Sequence, residues 1–422
     1  MKEHKHLEYK ETVTNSFLKT VSAFSNYDGG QIYFGITDDG LFVGVEDVTQ
    51  SCLDIENKIN DSIVPQPEYT LSVKEDSKII CLTVKSGMNK PYLYKSKAYK
   101  RNDTATIEVD SHEFRRLVLE GQHMNFDELP AAQQELSFDV LARYMKTEAG
   151  IDKFDIDILK TLNLYSNHDG YNNAAALLAD VNSFPGVDIA KFGETISIIQ
   201  KRATYEHVSV LSVYEHAVSM YRDYYQYEQI SGAVRERVER IPEAAFREAL
   251  ANALVHREWD IHAQIQVAMF DDRVEIVSPG GLPSGISEKE YLSGRLSVLR
   301  NPVLANVCYR LRMVEIFGTG ILRIVHTYEN SIRKPVFEVG DNSIKIVLPV
   351  METMPMLSDA EREIYQLLSK TVSKSISEIA QTASFGKSKV SMLLKGMASK
   401  GIVEIDGNGR GTKYRLKGDV LS

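Results

Sequence analysis

Apolar residues recur at helical spacing between positions 13 and 27, where Val13, Phe17, Val21 and Phe24 share one face. Asp28-Gly29-Gly30 stops that pattern, and Gln31–Ile36 then reads as a strand. Asp38-Asp39-Gly40 predicts a hairpin turn into a partner strand over 41–45. A helix over 51–62, strands over 69–74 and 78–85, and a last strand ending at Tyr99-Lys100-Arg101 complete a compact α+β unit over residues 1–121. Residues 122–240 carry apolar stripes in FDIDILKTLNL and NNAAALLADV, and Tyr205, Val208, Leu211, Tyr214 and Val218 predict a long helix over 205–228. This segment is expected to be a helical connector or a dimerising arm. Residues 241–352 begin with a helical run, AFREALANALVH, pass through an alternating strand pair and close on a hairpin around Gly340-Asp341-Asn342. Residues 356–422 hold three helical patterns and a terminal hairpin. The first of those helices has Ser358 as its expected N-cap, and Gly401 is expected to end the third.

Composition changes this picture little. At 422 residues with 43% hydrophobic and 25% charged content, the chain reads as several soluble globular domains. Net charge is −9, which argues against a protein that coats nucleic acid along its length. The charge is uneven: residues from 356 onward carry +4 and the remainder −13, so a local basic module is expected at the C-terminal end. Three scattered cysteines, Cys52, Cys81 and Cys308, offer no metal spacing and no disulfide framework. With no signal peptide and no apolar run of membrane length, a cytoplasmic protein without membrane contact is expected.

Chemistry concentrates between residues 245 and 321. Glu248 and Asn252 stand four apart on one predicted helix, and His256 extends their row. An amide oxygen suits Mg²⁺, and a carboxylate one turn away could orient a water against a γ-phosphate. Two glycine turns follow, Ser278-Pro279-Gly280-Gly281 and Phe317-Gly318-Thr319-Gly320, the second at a helix start whose N–H groups favour phosphate. Together they form a candidate site for a nucleoside triphosphate with its magnesium.

These residues resemble the nucleotide domain of RecG-like transcriptional regulators, a branch of the GHKL ATPases. Arg247–Arg257 is similar to the family's N-box helix, Phe270–Ile276 with Ser278–Pro283 to its hairpin and first glycine box, Arg300-Asn301-Pro302 to its lid region, and Glu315 with Gly318–Gly320 to its second glycine box. The resemblance implies a GHKL-like α/β sandwich that binds ATP, with Glu248 as general base, Asn252 on Mg²⁺, and His256, Ser278, Gly280, Gly281, Gly318, Thr319 and Gly320 around the nucleotide. Ser278 stands where the family usually carries the Asp that reads adenine. GHKL proteins often pair on binding nucleotide, so a homodimer is implied by analogy.

The N-terminal unit resembles the Schlafen-type AlbA-like domain through Glu8–Glu11, Ala23–Gly30, Phe34–Gly40, Lys90-Pro91-Tyr92 and Tyr99-Lys100-Arg101. That resemblance implies binding of DNA or RNA, with Lys10 and Arg101 as contacts. Some Schlafen members cut RNA with three carboxylates spaced like Glu3, Glu8 and Asp38, which makes a metal-dependent nuclease the alternative reading. The C-terminal segment resembles a winged helix-turn-helix, implying DNA contacts from Ser388, Lys389 and Ser391 on the recognition helix and Arg410, Lys413 and Arg415 on the wing. Gly386-Lys387-Ser388 is not a P-loop, because Gln381 occupies the position of the required first glycine. The whole is thus expected to be an α+β multidomain protein: AlbA-like domain, helical connector, GHKL-like domain, winged helix. It would be a DNA-binding transcriptional regulator switched by ATP, or one that works without it.

Overall fold

The computed structural model describes residues 2–231, 234–283, 285–294, 298–314, 318–351, 357–369, 371–407 and 411–417. The chain divides into two compact units, one formed by 1–327 with 335–350 and the other by 328–334 with 351–422.

The first unit opens on a four-stranded sheet of Leu7–Lys10, Gly30–Phe34, Ile79–Val84 and Tyr69–Lys74, in that spatial order. The first pair is parallel and the others are antiparallel. Helix Phe17–Asn26 lies against it because Phe17, Val21 and Phe24 fall on one stripe and bury fully with Ile32, Phe34, Ile80 and Leu82. The strand predicted over 41–45 does not form. Only a single bridge joins Ile36 to Phe42, and Leu41, Phe42 and Val43 are exposed. The backbone of this stretch is hydrogen-bonded, with the Val43 and Gly44 N–H groups both donating to the Gly35 carbonyl and the Val45 N–H to the Lys78 carbonyl. Gly35, Gly40 and Gly44 all take positive φ, however, and no regular ladder forms.

The segment 122–240 does contain helices, including Asp139–Ala149, Asn173–Leu178 and Val210–Tyr225, but it is more than a connector. Strands Val187–Phe192 and Ile199–Tyr205 join a six-stranded sheet in the order 199–205, 187–192, 265–269, 273–279, 343–349, 336–339. The contact between 187–192 and 265–269 is parallel; every other neighbour is antiparallel. The long helix expected over 205–228 is shorter, Val210–Tyr225, and the chain then turns into the two-stranded ribbon Gln226–Ser231 and Val234–Glu239.

Helix Glu243–His256 crosses one face of the six-stranded sheet. Nine of its fourteen residues are buried, Glu248 among them, and they lie on more than one side, as expected of a helix enclosed by neighbours. Phe246 stacks on Tyr221 of helix Val210–Tyr225, with ring centroids 4.4 Å apart. At its first turn Glu243 receives Arg222, Gln226 and Arg237, and the Arg222 hydrogen bond holds its carboxyl at about 2.

Burial works the other way on Asp127, whose side chain is wholly enclosed. Its Oδ2 accepts the Val303 and Leu304 N–H groups at 2.9 and 3.0 Å, capping helix Pro302–Arg310. Those donors favour the carboxylate, but loss of water outweighs them and pushes the carboxyl up to about 7. The folded state therefore holds this proton more tightly than the unfolded chain. The associated stability is full below about pH 4 and is lost as pH rises to about 7. Asp127→Asn, which keeps an acceptor for both N–H groups, should melt higher than wild type at pH 8, and the gap should close at pH 5. A gap of the same size at both pH values would show that Asp127 does not titrate in this window.

The second unit has helices Asp359–Leu367, Ile376–Thr382 and Lys387–Ser399 and a small antiparallel sheet of Lys374–Ser375, Lys413–Leu416 and Val403–Asp406. Ile364, Ile379, Val390, Leu394 and Met397 form its core. Ser358 with Glu361 and Ser375 with Glu378 are reciprocal capping boxes that start the first two helices.

Candidate functional site

Strand register builds the floor of a cavity. Ile276 pairs with Ile346 and Ser278 with Ile344, so four side chains on adjacent strands face the same side. Asn252, Ala253 and His256 from helix Glu243–His256 form one wall. Gly280 and Gly281 bring in the first glycine turn, and Gly318, Gly320 and Ile321 the second. Leu282, Pro283, Ile286, Tyr291 and Val298, all from the stretch between the two turns, close the remaining side. Seven of the nine positions nominated around the nucleotide thus meet at one cavity: Asn252, His256, Ser278, Gly280, Gly281, Gly318 and Gly320. Its free volume is about 80 Å³, small beside the roughly 300–1,000 Å³ of ligand clefts.

The other two positions stand elsewhere. Glu248 lies behind the cavity wall, buried, with Arg323 at 3.0 Å and the Asn252 amide donating to it at 3.4 Å. Gly320 makes this possible, since a Cβ there would overlap Glu248 Oε1 and stand 2.8 Å from the Asn252 nitrogen. Thr319 is outside the wall, and its carbonyl accepts the Arg323 N–H. Glu315, Phe317 and Arg410 lie outside the described residues.

Electrostatics tune the wall. Burial, then the nearby Arg300 guanidinium, push the His256 imidazole down to about 4, so it is neutral at pH 7. Ser278 donates its hydroxyl to the Ala253 carbonyl at 2.9 Å, which leaves its lone pairs as acceptors. Burial pushes the Tyr291 phenol up to about 12.

Arg300, legible in the sequence only as part of a lid motif, is the clamp of the first glycine turn. It donates to the His256 and Gly281 carbonyls at 3.0 and 2.9 Å and pairs with Glu258 at 3.1 Å. Gly280 sits at φ +104° with Arg300 and Glu258 packed against it, so a side chain there would be strained as well as crowded. Asn301 is fully buried and donates to the Val255 and Arg257 carbonyls at 2.8 and 3.0 Å. Arg257 is also fully buried, held by the Pro185, Ile261 and Ala263 carbonyls over the Trp259 ring.

At the N-terminal end, Glu8 is enclosed. It pairs with Lys10 at 2.6 Å and with Arg101, and it accepts the Thr20 hydroxyl at 2.6 Å. Lys10 and Arg101 therefore belong to an internal ion network. Glu3 accepts the Tyr9 N–H at 2.7 Å, and Asp38 is an exposed turn residue. Among the described residues, Glu3, Glu8 and Asp38 do not bring their ligand atoms together; the one such group is His112, Glu258 and Asp260. In the second unit Ser388 and Lys389 are exposed in the first turn of helix Lys387–Ser399 and Ser391 is half-buried. Lys413 is exposed, while Arg415 pairs with Glu404 at 2.9 Å.

Two family models match the chain. Residues 262–348 match the one described as "Putative ATP-dependent DNA helicase recG C-terminal", and residues 3–110 match "Schlafen, AlbA_2". Among solved structures, the DIP2311 protein of Corynebacterium diphtheriae is 18% identical, over 98% of this chain and 92% of that chain, with a TM-score of 0.49. A structure described as the "N-terminal Domain of Putative ATP-dependent DNA Helicase RecG-related Protein" from Nitrosomonas europaea is 21% identical, over 25% of this chain and 79% of that chain, with a TM-score of 0.19. No curated protein matches the chain. No helix among the described residues is long and apolar enough to cross a membrane.

Proposed function

We propose, for a chain that carries a Schlafen AlbA_2 domain and a RecG-type HATPase domain, that it is a DNA-binding transcriptional regulator governed by occupation of the cavity around Asn252. The observation that carries this reading is convergence: residues scattered from 252 to 320 meet at one pocket with both glycine turns in its wall. ATP with Mg²⁺ is the proposed ligand. Asn252 would hold the ion, the turn at Gly318–Gly320 would face the phosphates, and the free lone pairs of Ser278 would accept from the adenine amino group.

Occupation, more than hydrolysis, is the proposed working event. Glu248 is engaged with Arg323 and lies outside the wall, which is a poor position for a general base. Entry of the nucleotide would displace Leu282, Pro283 and Tyr291, and phosphate contacts would then hold the displaced stretch in a second arrangement. The three helices and hairpin of the second unit are read as a winged helix, with Ser388, Lys389 and Lys413 as its DNA contacts. A cytoplasmic homodimer is the proposed form.

The test is calorimetry with ATP and Mg²⁺, paired with gel retardation of DNA. Wild type should bind about one nucleotide per chain, and Asn252→Ala should weaken binding by at least about tenfold, as expected for a lost ion ligand. ATP should change the retardation of wild type and leave that of the variant unchanged. If wild type retards DNA but takes up no ATP, the regulator works without a nucleotide.

A further inference from the structure

His112, Glu258 and Asp260 come from distant parts of the first unit. His112 lies in the first turn of helix Ser111–Gly121, which follows the AlbA_2 domain. Glu258 and Asp260 lie in the turn directly after helix Glu243–His256. One ligand atom from each lies within 4.8 Å of the other two. They border a cavity of about 200 Å³ that shares Leu282, Pro283 and Val298 with the candidate nucleotide pocket.

A plain His–Asp ion pair does not account for this arrangement. The His112 Nε2 and Asp260 Oδ2 atoms are 2.9 Å apart, yet the Nε2 atom is buried without a hydrogen bond, so the approach is off the ring nitrogen's bonding direction. A buried ring nitrogen with no aligned partner costs free energy unless something else occupies its bonding direction. The cluster already meets cations: Arg300 pairs with one Glu258 oxygen, and Arg300 and Arg257 both lie within electrostatic reach of Asp260. A metal ion would share these two carboxylates with them, while Arg116 on the same cavity is placed among Glu113 and Glu120.

We propose that His112, Glu258 and Asp260 bind a divalent first-row cation such as Zn²⁺. One imidazole with two carboxylates is a donor set such ions accept, and it lacks the thiolates that would favour softer metals. Donors about 2.1 Å from one ion stand roughly 3–3.5 Å apart, so the cluster needs only modest side-chain rotation to close. Three protein ligands leave a position open toward the cavity. Because Glu258 also holds Arg300, and Arg300 holds the first glycine turn, the ion would tie helix Ser111–Gly121 to the edge of the nucleotide pocket.

The experiment uses the full chain, stripped of metal with a chelator and titrated with Zn²⁺ by calorimetry, with Co²⁺ absorption as a second readout. Wild type should take one ion at this site with a Kd of about 10 μM or tighter, and should show the ligand-field bands of bound Co²⁺. His112→Gln and Asp260→Asn should each lose at least about tenfold in affinity and alter those bands. Thermal melting without metal checks that each variant is folded, and either folded variant decides the question. The N-terminal imidazoles of His4 and His6 are the competing site. If replacing those two removes Zn²⁺ binding while His112→Gln keeps it, or if wild type binds no Zn²⁺ below millimolar concentration, the proposal is overturned.

Discussion

Glu8→Ala should destabilise the N-terminal domain by about 3–5 kcal/mol, the range for removing one partner of a buried ion pair. The carboxylate is 4% exposed and faces Arg101, itself 9% exposed. Removing it leaves a guanidinium whose Nε and Nη2 atoms already lack hydrogen bonds without the carboxylate it pairs with. Arg101→Met in the same chain should recover much of the loss, with a coupling of about 2 kcal/mol between the two sites. Thermal melts of the two single variants and the double variant measure it. The outcome also bears on the nuclease alternative. If Glu8 were instead a metal ligand crowded by other carboxylates, Glu8→Ala would leave the melting temperature unchanged or raise it, and would abolish metal-dependent cleavage.

The second large effect is expected from Gly281→Ala. Its Cβ would overlap the carbonyl oxygen of Asp341 and stand 2.9 Å from the carbon of that group. Both groups are backbone, and the turn they belong to is tied down: the Gly280 N–H donates to the Asn342 carbonyl and the Gly340 N–H to the Ser343 carbonyl, both at 2.9 Å. Relief therefore needs one of two hydrogen-bonded turns to shift. Overpacking of this kind costs about 1–3 kcal/mol. The same shift would carry the Gly281 carbonyl away from Arg300, opening the pocket rim, so ATP affinity should fall together with stability. A variant that melts with wild type and binds ATP equally well would mean the two turns are not coupled.

Local features were legible from the chain wherever the cause is local. Ser358 caps its helix because its hydroxyl and the Glu361 carboxylate lie within one turn of each other. The strand pair 265–269 and 273–279 forms where alternation and a short turn predict it. The glycine turns were visible because few other residues tolerate such close approach. The 41–45 stretch shows the limit: its alternation promised a strand, but two of its N–H groups share the single Gly35 carbonyl and the pairing stops at one bridge. Val187, Ile189 and Lys191 alternate just as clearly and do form a strand, because the edge at Ile265–Met269 accepts them in parallel.

The candidate site divides along the same line. Spacing put Glu248 and Asn252 on one helix face, yet only Asn252 reaches the cavity, because Gly320 and Arg323 meet Glu248 from a second helix. Lys10 and Arg101 look like surface cations in a list of residues, and the fold turns both inward onto Glu8. Asp127 capping a helix 176 residues away, and His112 meeting Glu258 and Asp260, have no signature in the sequence. By itself the sequence determined the two family likenesses at 3–110 and 262–348, caps, turns and the residue kinds at the pocket, since these depend on chemistry within a few positions. Which carboxylates are paired, which cations are enclosed and how much room the pocket offers were decided only by tertiary structure. Those properties depend on what packing brings near and how much water it removes.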